Sequence, residues 1–141
     1  MSACRVVVGA NIAWKALSRG RQDLVEMLGP TGALGGASLH APRFLFVELF
    51  KHKERLLRAS RLPEMELLDA QHALVARIEF HDESLIPLGV WVEAHRLSAP
   101  TDEKDTPYVA LPLHLDAELW TEDTKLSTGL RARGFDRFFV G

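Results

Sequence analysis

The sequence has 141 residues, 47% of them hydrophobic and 26% charged, and a net charge of −2. That length and balance suit one globular domain with a sizeable core, and they exclude binding nucleic acid through overall charge, leaving only a local patch for it. Cys4 is the one cysteine, so no internal disulfide forms; no apolar run reaches the roughly 18–20 residues of a membrane span and no signal-peptide pattern opens the chain, so a reducing cytoplasm is the expected compartment.

The unbroken apolar run at Arg5–Val8 predicts a short strand of a parallel sheet. Asn11–Leu17 and Gln22–Leu28 read as helix, and "GPTGALGG", Gly29–Gly36, as a flexible connector. That connector lacks the Lys-Ser/Thr of a phosphate-cradling loop. "SLHAP", Ser38–Pro42, is a candidate second strand. From Arg43 to about Ser60 the pattern is helical, with Phe46, Leu49, Phe50 and Leu57 as the expected buried stripe. Pro63 starts a further helix to about Arg77, because proline suits a first helical turn.

"RIEFHD" then reads as strand and Leu85–Leu97 as helix. Ser98–Pro107 has the composition of a polar loop, with Asp105 or Thr106 as the N-cap of a helix reaching about Leu115. Pro112 inside that helix is expected to bend or shorten it. "AELWT" predicts a strand, "EDTKLSTGLRARG" a helix closed by Gly134, and "FDRFFVG" a last strand. Strands alternating with helices imply an α/β fold with a parallel sheet covered on both faces, in a single domain spanning residues 1–141.

Most of the chemistry-bearing residue types lack a pattern. His40, His52, His72, His81, His95 and His114 show no HExxH spacing, so surface or packing roles are expected. No GxSxG elbow anchors a hydrolase triad. Cys4 precedes the first strand and reads as a buried, inert thiol.

The acids are more informative. Glu48 falls among apolar neighbours in "FLFVELF", where a carboxylate is expensive unless paired or bound to a cation. Asp105 sits where a loop becomes a helix, and Asp123 follows the strand "LWT". Carboxylates gathered at one edge of a parallel sheet would suit Mg²⁺ or Mn²⁺ and phosphodiester chemistry. Each has a plainer reading: Asp105 and Asp123 as helix caps, Glu48 as an ion-pair partner of Lys51 or His52. Lys51, Arg55 and Arg58 share the helix face of Glu48, and Lys15, Arg19 and Arg21 add charge after the first helix. Such a strip either holds a phosphate backbone or is simply a solvated face.

Together these segments resemble the PIN-domain ribonucleases, especially the VapC-like toxins of toxin–antitoxin pairs. "RVVVGANIAWKAL" resembles the first motif of that family, a strand ending in an Asp, then a small residue, an Asn and a helix. "HAPRFLFVELFKHKE" is similar to the segment bearing the second acid, at Glu48. "DEKDTPYVALPLHLDAELWTEDTKL" resembles the third and fourth motifs, with acids at Asp105 and Asp123.

The resemblance implies a three-layer α/β/α fold and an acidic pocket for Mg²⁺ or Mn²⁺. It also implies RNA cleavage by metal-activated water, with Glu48, Asp105 and Asp123 as metal ligands and Asn11 and Thr121 orienting them. Lys51 and Arg55 are candidates for contacting the RNA backbone. A cognate antitoxin and a homodimer are the implied partners.

One departure is central: Gly9 stands where the family's first acid belongs, and glycine supplies no oxygen ligand. The activity implied for this form is therefore impaired or absent. The substitution is engineered or selected against toxicity, or the domain is a degenerate one, or Asp102, Glu103 or Glu122 compensates. The first is favoured because the other three motif acids remain. A non-catalytic PIN-like module that binds RNA or a protein is the alternative.

Overall fold

The computed structural model describes residues 4–18 and 36–140. The predicted helix Gln22–Leu28, most of the Gly29–Gly36 connector, and Arg19 and Arg21 lie outside the described residues.

Four parallel strands, β1 (Arg5–Val8), β2 (Ser38–Pro42), β3 (Ile78–His81) and β4 (Glu118–Trp120), form one sheet in the order β3-β2-β1-β4. Among the described residues the helices are α1 (Ala10–Ser18), α2 (Arg43–Lys51), α3 (Lys53–Ser60), α4 (Glu64–Arg77), α5 (Leu88–Asp102), α6 (Thr106–Leu115) and α7 (Thr124–Ala132). They flank the sheet in the expected three-layer α/β/α arrangement. α1 packs on α3 and α4, while α5 packs on α6 and α7 and α6 lies across β1 and β2.

Val6, Val7 and Val8 are fully buried, which explains why β1 is apolar at consecutive rather than alternate positions. Its neighbours set the register: Val8 lies opposite Trp120, and Val7 opposite His40 and Leu119. The C-terminal ends of β1 and β4 therefore meet at one edge, and Gly9, Thr121 and Asp123 leave the sheet there. Among the described residues no helix is long and apolar enough to cross a membrane.

Several sequence expectations need correction. The helix predicted from Arg43 to Ser60 is two helices, broken at His52. Its buried residues are Leu45, Leu49 and Leu56, whereas Phe46 is 49% and Phe50 76% exposed. The helix carries two apolar stripes, and the period alone does not choose which faces the sheet.

The polar loop Ser98–Pro107 is largely helix: α5 continues through Pro100 to Asp102, and a 3-10 turn at Glu103–Asp105 leads into α6. A short 3-10 turn at Glu83–Leu85 replaces the predicted start of α5, which begins at Leu88 after Pro87. α6 passes through Pro112 and ends at Leu115, where Asp116 takes a left-handed φ of 55°. The predicted last strand contracts to one parallel bridge between Leu119 and Phe138. Gly134 does end α7, at a φ of 101° that disfavours any side chain.

Candidate functional site

The edge where β1 and β4 end carries a small concavity lined by Gly9, Asn11, Asp105, Tyr108, Thr121 and Asp123, among others. Three separated stretches of chain supply it. Asp123 leaves β4 and caps α7, its Oδ1 accepting from the Leu126 amide at 3.0 Å. That is the plain capping role, and it uses one carboxylate oxygen.

Asp105 is different. It occupies the N-cap position of α6 but makes no side-chain capping bond. Its carboxyl is half-buried and its pKa is pushed up to about 6, by burial first and then by the charges of Asp102 and Asp123. A carboxylate held in such a place gains from a cation more than an ordinary surface acid does.

Its position is built by the segment that composition suggested was a loop. Ser98 is fully buried; its hydroxyl donates to the Ala94 carbonyl at 2.8 Å and meets the Thr106 hydroxyl at 2.9 Å. Thr106 Oγ1 also lies 2.7 Å from the Glu103 carbonyl and shares its single proton between that oxygen and Ser98 Oγ. These bonds tie the end of α5 to the start of α6 and hold Asp105 between them.

Asn11 and Thr121 form the opposite wall. The Asn11 amide donates to Thr121 Oγ1 at 3.0 Å, and its oxygen accepts from the Glu122 amide at 3.3 Å. Thr121 Oγ1 also accepts from the Asp123 amide at 3.1 Å. One side chain on α1 and one after β4 thus fix the turn that presents Asp123.

Gly9 closes the floor. Its amide donates to the Trp120 carbonyl at 2.8 Å. A Cβ added at Gly9 would stand 2.8 Å from that same oxygen, with Asn11 Oδ1 at 3.5 Å and Thr121 Cβ at 3.6 Å beyond it. The glycine therefore permits a close approach of two strand ends rather than an unusual backbone angle.

Tyr108 is a residue the sequence reading missed. Among the described residues its hydroxyl is buried without a hydrogen-bond partner, and its pKa is raised by burial and by Glu48, Asp105 and Glu83. Apart from its place three residues after Asp105, no sequence signal marks it. An unpaired buried hydroxyl beside an uncapped carboxyl is a natural place for a hydrated ion.

Glu48 does not line this concavity. It lies in an adjoining one with Ala10, Asn11, Trp14, His52 and Arg55, so the two share Ala10 and Asn11. Glu48 Oε2 is 3.1 Å from His52 Nε2, one of the two partners that the plainer reading named. Arg55 also faces this second concavity, its guanidinium carbon 5.6 Å from the centroid of Trp14. Lys51 and Arg58 line neither concavity. Of the acids weighed as substitutes for a residue at position 9, Glu122 pairs with Lys15 at 2.7 Å and Glu103 lies 3.8 Å from His95. Asp102 accepts from the Lys104 amide at 3.0 Å. None of the three lines the concavity.

Cys4 is exposed rather than buried, and its Sγ donates to Glu118 Oε1 at 3.4 Å. Desolvation and then Glu118 raise its pKa, so the thiol stays a poor nucleophile.

Residues 7–139 match a family described as the PIN domain. The fold is similar to a chain of the crystal structure of VapBC2 from Rickettsia felis bound to a DNA fragment from their promoter. That likeness has a TM-score of 0.58 at 14% identity and covers 88% of this chain and 92% of that one. No curated protein matches the sequence at a significant level.

Proposed function

The chain belongs to the PIN-domain family, and from that premise we propose that it is a metal-dependent endoribonuclease of VapC toxin type, impaired in this form by Gly9. The observation that carries this reading is the pairing of Asp105 and Asp123 in one concavity, with Asp105 uncapped, half-buried and raised to about 6. The donor set is all oxygen, which fits Mg²⁺ or Mn²⁺. The orphaned Tyr108 hydroxyl fits a coordinated water in the same space.

In this proposal Asp105 and the free oxygen of Asp123 are the resident ligands, with Glu48 reaching the ion from the adjoining concavity or through water. Asn11 and Thr121 hold the Asp123 turn in place. A bound ion supplies Lewis acidity toward water and toward the scissile phosphate. Arg55, fixed over Trp14, is positioned to hold the RNA backbone beside Glu48, and Lys51 adds a more distant positive charge. At position 9 the site is one carboxylate short, which removes an oxygen ligand and a negative charge.

The Rickettsia felis neighbour is a VapBC2 assembly on promoter DNA. By that likeness the proposal extends to a cognate antitoxin whose Arg or Lys pairs with Glu48, Asp105 and Asp123; a homodimer and a cytoplasmic location complete the proposal.

The test is RNA cleavage by Gly9→Asp with Mg²⁺ or Mn²⁺, abolished by adding Asp105→Asn. A second reading, a non-catalytic module that binds RNA or a protein, draws on the close Gly9–Trp120 contact, which leaves no room for a side chain without a shift. A folded Gly9→Asp protein with no metal-dependent cleavage of tRNA, rRNA or mRNA would favour it.

A further inference from the structure

Two histidines that look unrelated in sequence meet on the sheet. His40 Nδ1 lies 2.8 Å from His81 Nε2, across 41 residues of chain. Glu79 Oε2 lies 3.3 Å from the same His40 nitrogen. We propose that His40, Glu79 and His81 form a second metal site, selective for a borderline divalent ion of the Zn²⁺ class.

The strands explain the convergence. β2 and β3 are parallel with His40 directly opposite Glu79. His81 follows Glu79 by two residues, so a strand of period two places both on the face of His40. The three ligand atoms lie within 4.8 Å of one another. Two of them sit on β3, an edge strand among the described residues, where Glu79 is exposed and His81 half-buried, and His40 is buried at 6% exposure.

The outer partner of a metal histidine is also present. His40 Nε2 is 2.8 Å from the Ser38 hydroxyl. With the ring proton on Nε2 donating to Ser38, Nδ1 keeps a lone pair facing His81 and Glu79, the arrangement that orients a metal-bound imidazole. Zn–N bonds of about 2.0–2.1 Å in a tetrahedron place ligand atoms roughly 3.3 Å apart. Measured from His40, the Glu79 oxygen already stands at this spacing; the His81 ring has to swing out by about half an ångström, and the Glu79 and His81 atoms, within 4.8 Å of each other, settle to the same spacing around the ion. Two imidazoles and one carboxylate prefer Zn²⁺ to Mg²⁺, in contrast to the all-oxygen concavity, which shares no residue with this cluster. An ion here clamps the edge strand β3 to β2 and leaves a fourth position for water.

The experiment is a Zn²⁺ titration of the chelator-stripped full chain against a chromophoric chelator, with melting curves in parallel. The expected result is one Zn²⁺ bound and a raised Tm, with no competition from millimolar Mg²⁺. His81→Gln and Glu79→Gln are each expected to weaken Zn²⁺ binding at least about tenfold, and Ser38→Ala by roughly 10–100-fold as an outer partner. These positions are less buried than His40, so the variants keep the test independent of folding of the core. Asp105→Asn is expected to leave the zinc titration unchanged. Failure of the wild-type chain to bind one Zn²⁺ overturns the proposal. Binding that survives in His81→Gln, or that is lost in Asp105→Asn alone, also overturns it.

Discussion

The Gly9 amide and the place where a Gly9 side chain would begin both address one atom, the Trp120 carbonyl oxygen, each at 2.8 Å. The first contact closes β1 against the outgoing end of β4. The second means that an acid at position 9 must push two strand ends apart by a few tenths of an ångström. Restoring the carboxylate therefore tests chemistry and sterics together, and Gly9→Ala separates them. Gly9→Ala is expected to lower the Tm without creating activity. Gly9→Asp is expected to suffer the same steric cost but to raise Mn²⁺-dependent RNA cleavage by at least about tenfold to a hundredfold, the scale set by losing even an outer partner of a metal ligand. Equal activity in the two variants, measured on a labelled RNA, would remove position 9 from the metal site.

Asp105 carries the pH dependence. Its folded pKa of about 6 stands above the ordinary carboxylate value. The folded state therefore holds its proton longer than the unfolded chain. This group's contribution is most favourable below the unfolded pKa and is lost as pH rises from about 4 through 6. Asp105→Asn is expected to stabilise the metal-free protein at pH 7, by about 1–2 kcal/mol once solvent screening of a half-exposed group is allowed for. At pH 4 the gain should vanish. Urea denaturation in chelator at the two pH values checks it, and the same substitution should abolish the Mn²⁺-induced rise in Tm.

Tyr108 gives a prediction of the opposite kind. A buried hydroxyl without a partner costs about 1–3 kcal/mol, so Tyr108→Phe is expected to be neutral or to stabilise the metal-free chain. If a hydrated ion completes that hydroxyl's hydrogen bonding, the variant should gain less Tm than wild type on adding Mn²⁺. An equal gain in both would place the ion elsewhere.

Asp105 and Asp123 could be located in the sequence because each lies at a strand or helix end, whereas Asn11 and Thr121 entered only through the resemblance to the family; the structure brings the four around one concavity. The burial of α2 was not legible in the sequence. Leu45 and Leu49 on one side and Phe46 and Phe50 on the other have the same helical period, and only the sheet packed beneath chooses the leucines. The stretch Ser98–Pro107 has loop composition because most of it faces water, while its order comes from the buried Ser98 and Thr106 hydroxyls. The adjacency of His40 and His81 depends on strand order, which no local pattern encodes.

Asn11→Ala removes two hydrogen bonds that hold Thr121 and Glu122. It leaves Asp105 untouched. The expected effect is a Mn²⁺ affinity lower by roughly 10–100-fold with the Asp123 turn loosened. Amide hydrogen exchange across residues 121–126 should quicken in the variant. Unchanged exchange there, with weakened Mn²⁺ binding, would make Asn11 a direct ligand rather than a positioning residue.

The basic strip divides by geometry. Arg55 faces the concavity of Glu48 and stacks over Trp14, whereas Lys51 is exposed and lines neither concavity. A guanidinium held against an aromatic face loses less freedom on meeting a phosphate than a solvated ammonium does. Single-stranded RNA binding, measured in chelator so that no cleavage intervenes, should therefore weaken more in Arg55→Ala than in Lys51→Ala. A direct phosphate contact at Arg55 predicts that the slope of log K against log salt falls by about 0.7 in Arg55→Ala, the value for one contact on a single strand. Trp14→Ala should reproduce part of the affinity loss while keeping that slope, because the cation remains but is no longer held in place. If Arg55→Ala and Lys51→Ala give the same affinity and the same slope, the strip is a solvated surface and the RNA path lies elsewhere.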